Sequence, residues 1–521
     1  MMKKSEVWCK IGFIIMEEIK EAKESLSNKV VRNSVYNTAG FVWSILIAFF
    51  TIPIIIGSLG VIEYGYYIFI GTLLSLFGLI DLGVSTAINK FFAEKIGEND
   101  NEGLKKYVGV SKFIFLSIAV IGSGLLLLGS LFSLLLFNQT YSFLAPTILI
   151  SSMIFFISSI QSIVVISLQA NQRFDISSKL GIFTITLQQT GLVVAAHFTK
   201  DINVMFLTQL IVGLISFLLG YYFVRHLFPV IKTRIIFDWY LIKKFYKYGI
   251  STFFVGFSNS LLTYFDRLLI PIILGPKSLT YYAVPGTIST KIPGFSSSIG
   301  SIVFSMASNF QGAKDENRQK ILYEKSSRLI ILISTSLAVS TAVYAKEILG
   351  YWIDFDIAQN SYLILIILCV TSILLATYNI IQNVLLGTGR FKELAITTAS
   401  MLIINIVGLF ILLPKIGILG AAIAYLISVL PVIGLKAYVE NKYFGLKYFS
   451  IKKIIVPLKY IVIVSAVSLI SIFVLKGFAT SLITVMILFG ISNLIFLFIS
   501  YIFGLIRNDE VVIFKKFLIK K

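Results

Sequence analysis

Apolar runs of about 20 residues or more recur along this chain from Val35 to Ile506, and no other feature limits its fold so severely. A helix of that length crosses about 30 Å of hydrocarbon. An unpaired backbone N–H or C=O costs several kcal/mol in lipid, so each span must close its hydrogen bonds internally, as a helix. Charged residues make up only 13% of the 521, against 57% hydrophobic, whereas soluble domains carry roughly 25% charged residues. The sequence therefore reads as an all-α membrane protein.

Hydropathy predicts about fourteen transmembrane helices, the first near 35–57 and the last near 480–505. Placing the amino terminus in the cytoplasm puts about 38 Lys and Arg on that side and about 5 outside, with Arg267 and Lys291 inside spans. Both termini are thus expected in the cytoplasm, and the chain in the cell inner membrane. The outer loops are short; the largest, Lys346 to Gln359, holds about fourteen residues, too few for an external domain. The net charge of +20 sits in loops between spans, which suits topology and anionic lipid and gives no reason to expect nucleic acid. Cys9 and Cys369 fall in the expected tail and in a span, so no disulfide is expected. The sequon at Asn138 reads as a chance occurrence. No signal peptide is expected at the start, because Lys10 interrupts a short apolar stretch and no small-residue cleavage site follows. Met16 opens a plainer amphiphilic leader, so residues 1–15 read as a start-site extension.

An internal repeat organises the spans. LQANQRF (168–174) and LLGTGRF (385–391) each precede a span and place Arg173 and Arg390 about 217 residues apart. LGVIEYGYY (59–67) answers LGPKSLTYY (274–282), and GENDN (97–101) answers KDENR (314–318), at nearly the same offset. An even number of spans per repeat makes the halves parallel, related by an axis along the membrane normal. The expected plan is a cytoplasmic segment over 1–34, one six-helix lobe over 35–224, a second over 248–437, and two additional helices over 455–505.

An ionisable residue at the centre of a membrane helix costs about 2.5–3.5 kcal/mol unless it faces a cavity or a partner. Asp81, Asp266, Arg267 and Lys291 are the residues so placed. Asp266 and Arg267 read equally as a stabilising pair, and Asp81 equally as a packing or capping residue. Lys291, flanked by Pro285, Pro293 and Gly294 in a helix expected to bend, favours a cavity role. Ser251, Ser258, Asn259, Thr263 and Asp266 form a polar stripe at three- and four-residue steps, which either glues helices or lines a wet path. Gln188, Gln189 and Thr190, with Asn379, Gln382 and Asn383, extend it. Of the basic residues at span ends, Lys90 and Lys112 read as topology and lipid contacts. Arg173 and Arg390 stand out because the repeat matches them. His197 and His226 are too separated in the chain to suggest one site. Asp354 and Asp356 lack the company a metal needs. No catalytic set, metal site or cofactor motif is evident, and no Walker A sequence occurs.

The stretches TYFDRLLIPIILGPKSLTYYAV (263–284), LGTGRFKELAI, LPKIGILGAAIAYLIS (413–428) and GLIDLGVSTAINKFFAE, in this order and spacing, resemble the Wzx-type polysaccharide biosynthesis flippases of the multidrug/oligosaccharidyl-lipid/polysaccharide exporter superfamily. The likeness covers roughly residues 30–440. It implies about twelve to fourteen spans in two lobes and movement of undecaprenyl-diphosphate-linked oligosaccharide units to the outer leaflet, for O antigen or capsule, by alternating access. On that reading Arg267, Lys291, Asn259, Arg173 and Arg390 are candidate cavity residues, since Arg and Lys supply charge-assisted donors to a diphosphate. Asp81 and Asp266 are candidate coupling sites for H+ or Na+, and membrane lipids, a polysaccharide polymerase and chain-length machinery are candidate partners. The rival readings are a drug or metabolite exporter of the same superfamily, a membrane enzyme of polysaccharide assembly, and a scaffold of an export complex. A cationic drug calls for an acidic or aromatic cavity, and a membrane enzyme for a sizeable catalytic loop.

Overall fold

The computed structural model describes residues 40–81, 83–136, 145–313, 315–445 and 475–502. The expected span over 455–475 therefore lies almost wholly outside the described residues. Helix α1 (Gly40–Leu59) is followed by α2 (Val61–Phe77), α3 (Val84–Gly97), α4 (Asn101–Leu136), α5 (Ala145–Ala170), α6 (Phe174–Thr199) and α7 (Ile202–Leu227). A second series holds α8 (Trp239–Leu274), α9 (Pro276–Ser289), α10 (Lys291–Gly312), α11 (Glu316–Val343), α12 (Ala345–Trp352), α13 (Phe355–Gly387), α14 (Phe391–Val429) and α15 (Pro431–Phe444). Helix α16 (Leu482–Ile502) closes the described chain. Two all-helical lobes result.

The backbone carries the repeat more plainly than the side chains do. Gly60 (φ 93°, ψ 167°) turns α1 into α2, and Gly275 (φ 83°, ψ 164°) turns α8 into α9 with nearly the same dihedrals. A side chain at either φ would be strained, so glycine suits both turns. Gln172 (φ 56°) and Gly389 (φ 73°) occupy the left-handed region before the matched arginines, and Lys200 (φ 52°) and Gly417 (φ 63°) repeat the pattern one helix later. Hydrogen bonds follow suit: Arg173 N–H reaches Leu168 O at 2.9 Å, and Arg390 N–H reaches Leu385 O at 2.8 Å. Asp100 accepts from Gly103 N–H at 2.8 Å and Asp315 from Arg318 N–H at 3.0 Å, capping equivalent helices.

Among the described residues, ten helices are long and apolar enough to cross a membrane, fewer than the fourteen expected. Part of the difference has a physical origin. Residues 391–444 count as one run, yet Ile416 and Gly417 leave helical geometry and reverse the chain there. The apolar run over 279–309, one span by hydropathy, is broken at Thr290 between α9 and α10, and α9 alone has only 14 residues. Helix α8, with 36 residues or about 54 Å of axis, is long enough but is not among the ten apolar ones.

Helix α8 ties the lobes together. Its first turns bury Leu241, Ile242 and Phe245 in the first-lobe cluster with Phe91, Tyr107 and Val110. Its last turns bury Ile270 against Leu409 and Leu413 of α14. At the opposite rim from the Phe245 cluster, the lobes meet through α2 and α9. Thr280 Oγ1 donates to Val61 O at 2.6 Å, and Gly65 lies so close to Pro276 that a Cβ would sit 2.1 Å from its carbonyl oxygen. Trp352 of α12 reaches across to Phe49 O at 2.7 Å and stacks on the Phe49 ring. Near the first rim, Lys106 pairs with Asp238 at 2.7 Å. That ammonium, then the Leu241 N–H, hold the Asp238 carboxyl below the usual carboxylate range.

Candidate transport cleft

The ionisable residues of α8 point to different neighbours. Asp266 is buried; one oxygen accepts from Arg267 N–H at 2.7 Å, and the other accepts from the Tyr282 hydroxyl of α9. Those donors satisfy the carboxylate locally. The pairing of Asp266 with Arg267 expected as one reading is thus corrected: no ion pair joins them, because residues adjacent on a helix project about 100° apart. The Arg267 guanidinium instead lies 6.0 Å from the Tyr264 ring and 3.5 Å from where a Cβ of Gly286 would stand. Tyr64 of α2 and Tyr425 of α14 are within reach of its charge. Its Nε is buried and has no acceptor. Arg267 is therefore a membrane-depth cation facing both lobes, within Coulomb reach of Asp266 but in no direct ion pair among the described residues.

The repeat sharpens this. Residue 51 is the first-lobe counterpart of Asp266 and is Thr51, which donates to Gln189 Oε1 at 3.0 Å. Tyr282 answers Tyr67, whose hydroxyl accepts from Gln209 Nε2 at 3.1 Å. The YY pair is common to both lobes, while Asp266 and Arg267 answer the uncharged Thr51 and Ile52. Of the tyrosines around Asp266 and Arg267, only Tyr282 has a signal in the sequence, the matched YY pairs of the repeat.

Lys291 is the first residue of α10, about 22 Å of helix from the Gly275 turn, and is half-buried. Among the described residues it makes no hydrogen bond or ion pair. The bend expected there is the break at Thr290. Asn259 is half-buried on α8, and Thr263 bonds back to Asn259 O at 2.8 Å, leaving its hydroxyl committed to its own helix. Much of the remaining polar stripe is glue. Asn379 donates to Pro293 O, Ser296 Oγ and Ser297 Oγ, at 3.2, 3.0 and 3.1 Å, and so fastens α13 to α10. Thr186 accepts from Trp43 Nε1 at 2.8 Å, and Gln189 accepts from Thr51, which fastens α6 to α1.

Asp81 lies in a short 3-10 turn (Gly78–Asp81) between α2 and α3, and both its oxygens accept from Ser85 N–H, at 3.1 and 3.3 Å. It caps the first turn of α3. Arg173 and Arg390 are not brought to Arg267. They stand at the starts of α6 and α14, where Arg173 grips Asp175 through two hydrogen bonds of 3.0 and 3.1 Å. Arg390 lies 3.5 Å over the Tyr443 ring, whose hydroxyl bonds Glu393. Asp356 accepts from Tyr281 at 2.7 Å, and no group of three potential metal ligands occurs among the described residues.

Two all-helical lobes, joined through α8 and meeting again at α2 and α9, with Arg267 and Lys291 in no ion pair among the described residues, make a membrane fold of paired helical bundles. Comparison with solved structures agrees. The fold superposes on lipid II flippase MurJ in an inward closed conformation with TM-score 0.71 at 18% identity, over 91% of this chain and 98% of that one. An inward-facing multidrug resistance MATE family transporter of the MOP superfamily gives 0.58 at 14% identity, over 80% and 96%. The sequence profile of the polysaccharide biosynthesis protein family matches residues 59–353, more than half of the chain, and the chain belongs to that family. It is 22% identical over 411 residues to the Shigella flexneri protein named "Putative O-antigen transporter", covering 77% of this chain and 95% of that one. It is 29% identical over 229 residues to an uncharacterized membrane protein of Methanocaldococcus jannaschii, covering 42% and 43%.

Proposed function

We propose that this protein is a flippase that carries undecaprenyl-diphosphate-linked oligosaccharide units from the cytoplasmic to the outer leaflet by alternating access. The observation that carries the reading is Arg267, whose charge faces both lobes at membrane depth while Asp266 is occupied by Tyr282. Asp266 lies within Coulomb reach, but its oxygens are taken by Tyr282 and the Arg267 N–H, so the guanidinium keeps donors for a visiting anion, and a cation at this depth is expensive without one. At an effective dielectric near 20, unit charges about 4 Å apart attract by about 4 kcal/mol, against about 1 kcal/mol in water. Lys291, also unpaired, supplies a second contact deeper in the cleft for a cargo handed along. A cationic drug would be repelled by the same two residues, which disfavours the multidrug reading. Arg173 and Arg390 are left to the turns they hold. Coupling to a proton or sodium gradient belongs to this reading, with Asp81 and Asp266 as its candidate sites. The lobe boundaries near 35–224 and 248–437, and a cytoplasmic location for both termini at the inner membrane, complete the proposal.

Gln in place of Arg267 or Lys291 keeps length and polarity while removing charge. Cells carrying either variant at normal membrane levels are expected to accumulate lipid-linked units on the cytoplasmic face and lose surface polymer. Glu in place of Lys291 should be worse than Gln. Normal export by both well-expressed Gln variants would overturn the assignment.

A further inference from the structure

We propose that the end of α7 and the turn after it form a binding site for the headgroup of an anionic phospholipid. A cavity of about 530 Å³ opens there, lined by Leu218, Tyr221, Tyr222, Arg225, His226 and Lys232. That volume falls within the range of pockets that hold small molecules. Its lining is ordered along the membrane normal as a phospholipid is. Leu218, 61% exposed, continues the lipid-facing side of α7, Tyr222 follows one turn later at 57%, and the three cationic or titratable side chains sit at the end. Acyl chain, glycerol ester and phosphate would meet these levels in turn, with the tyrosines at the interfacial depth their amphipathic rings favour.

Arg225 and Lys232 form no ion pair among the described residues, so the rim holds unneutralised positive charge. The wall bearing Lys232 is rigid. Lys112 of α4 donates to Ile231 O at 2.5 Å and Thr233 O at 3.0 Å, and Ile236 N–H donates to Gly109 O at 3.1 Å. Ile231 is buried beneath the turn. Preorganised walls spare a ligand the cost of ordering them. The second lobe supplies a contrast. Arg225 answers Lys442 in the repeat, yet Lys442 donates to Tyr438 at 2.5 Å and lies over the Tyr443 ring, which is bonded to Glu393. In that corner the cation itself is taken up by neighbouring side chains, whereas here His226 turns inward, to Tyr222 O at 2.9 Å, and Arg225 and Lys232 make no ion pair among the described residues. A free phosphate would use the cations but would leave the exposed Leu218 and Tyr222 without a role, so we commit to the lipid. The site does not depend on the flippase reading.

The test uses the full chain purified in uncharged detergent, titrated with dioleoylphosphatidylglycerol, dioleoylphosphatidylcholine or inorganic phosphate, and read by native mass spectrometry and by melting temperature. Phosphatidylglycerol should bind and stabilise, and the other two should not. A cation near an anionic headgroup contributes about fivefold in affinity, so Arg225→Gln with Lys232→Gln should weaken phosphatidylglycerol binding by about 25-fold. Lys200→Gln, at the other end of the α6–α7 pair, should leave binding unchanged, and Arg225→Lys should retain most of it. Equal binding of the two lipids by the unaltered protein overturns the proposal even if the double variant fails to fold. So does equal stabilisation by phosphate alone, or undiminished phosphatidylglycerol binding by the folded double variant.

Discussion

Replacing Gly65 by Ala tests whether the α2–α9 contact is the seal between the lobes. The added Cβ would lie 2.1 Å from Pro276 O, 2.7 Å from Pro276 C and 3.1 Å from Thr280 Oγ1. Carbon and oxygen rest about 3.3 Å apart or more, so the helices must separate by over an ångström at this point. Pro276 cannot yield, because the atoms in the way are backbone and its ring fixes the start of α9. The 2.6 Å bond from Thr280 to Val61 O then stretches beyond useful length. Overpacking costs about 1–3 kcal/mol and the lost bond about 1 more. If the sealed state is one of two in exchange, the ratio of open to sealed rises by about 30-fold to several hundredfold. The reporter is Val284→Cys, in the buried cluster that joins α9 to Tyr64 and Ile56, in a Cys9→Ser, Cys369→Ala background. A membrane-impermeant maleimide added outside cells should label it slowly with Gly65 and at least tenfold faster with Ala. A lowered melting temperature without faster labelling would place the strain in folding alone and refute the seal.

Asp81→Ala should lower stability by about 0.5–2 kcal/mol through loss of the α3 cap, while Asp81→Asn keeps most of it and keeps export; failure of export in a stable Asn variant would show that the charge itself is required. Asp238→Asn keeps the cap of α8 but loses the pair with Lys106. Because the folded carboxyl titrates below its ordinary value near 4, that contribution is complete above about pH 4 and lost as pH falls through the lower folded value. The melting-temperature gap between wild type and this variant should therefore stay constant from pH 7 to pH 5, and a gap that closes within that range would refute the pairing. Reporter fusions after Lys95 and Lys243 should read cytoplasmic and a fusion after Lys346 external; an external reading at Lys243 would overturn the topology.

What could be read from the chain follows from which forces have a period. The helical class and the order of spans are written in apolar runs, because lipid enforces internal hydrogen bonding over every such segment. The repeat was legible at Arg173 and Arg390, since helix ends need particular backbone shapes and those shapes select residues. It surfaced most firmly in the φ values of Gly60 and Gly275, which composition only hints at. Site geometry was less legible. Asp266 and Arg267 are neighbours in sequence, and only the position of Tyr282 decides that the acid is satisfied elsewhere. Arg173 and Arg390 are matched by the repeat, and the turns they start from are matched as well. The open corner at Arg225 had no sequence signal, since its interest lies in the partners it lacks.

Helix α16 offers the last test, of the division between transport machinery and attachment. Its buried stripe, Val485, Leu488, Ser492, Phe496 and Ser500, faces α11 and α12, while Ile487, Leu494 and Phe498 are exposed as lipid-facing residues should be. Val485 and Leu488 pack with Tyr344, and Phe496 with Leu332, and polar contacts add to this. Ser336 donates to Asn493 Oδ1 at 2.7 Å, Tyr344 and Ser492 lie 3.3 Å apart, and Lys476 meets Glu347 at 3.2 Å just before the helix. Hydrogen bonds between membrane helices average about 0.6 kcal/mol and reach about 1.7, because each partner finds substitutes in the separated state. Ser336 can turn back to a carbonyl of its own helix. Asn493→Leu should therefore cost about 1 kcal/mol or less, and a melting-temperature shift should be small. Helix α16 packs chiefly on α11 and α12, whereas Arg267 is on α8, so export by this variant should match wild type at equal membrane levels. Loss of export with normal stability would mean that α16 takes part in the transport cycle, and the cleft would then have to be redrawn to include α11.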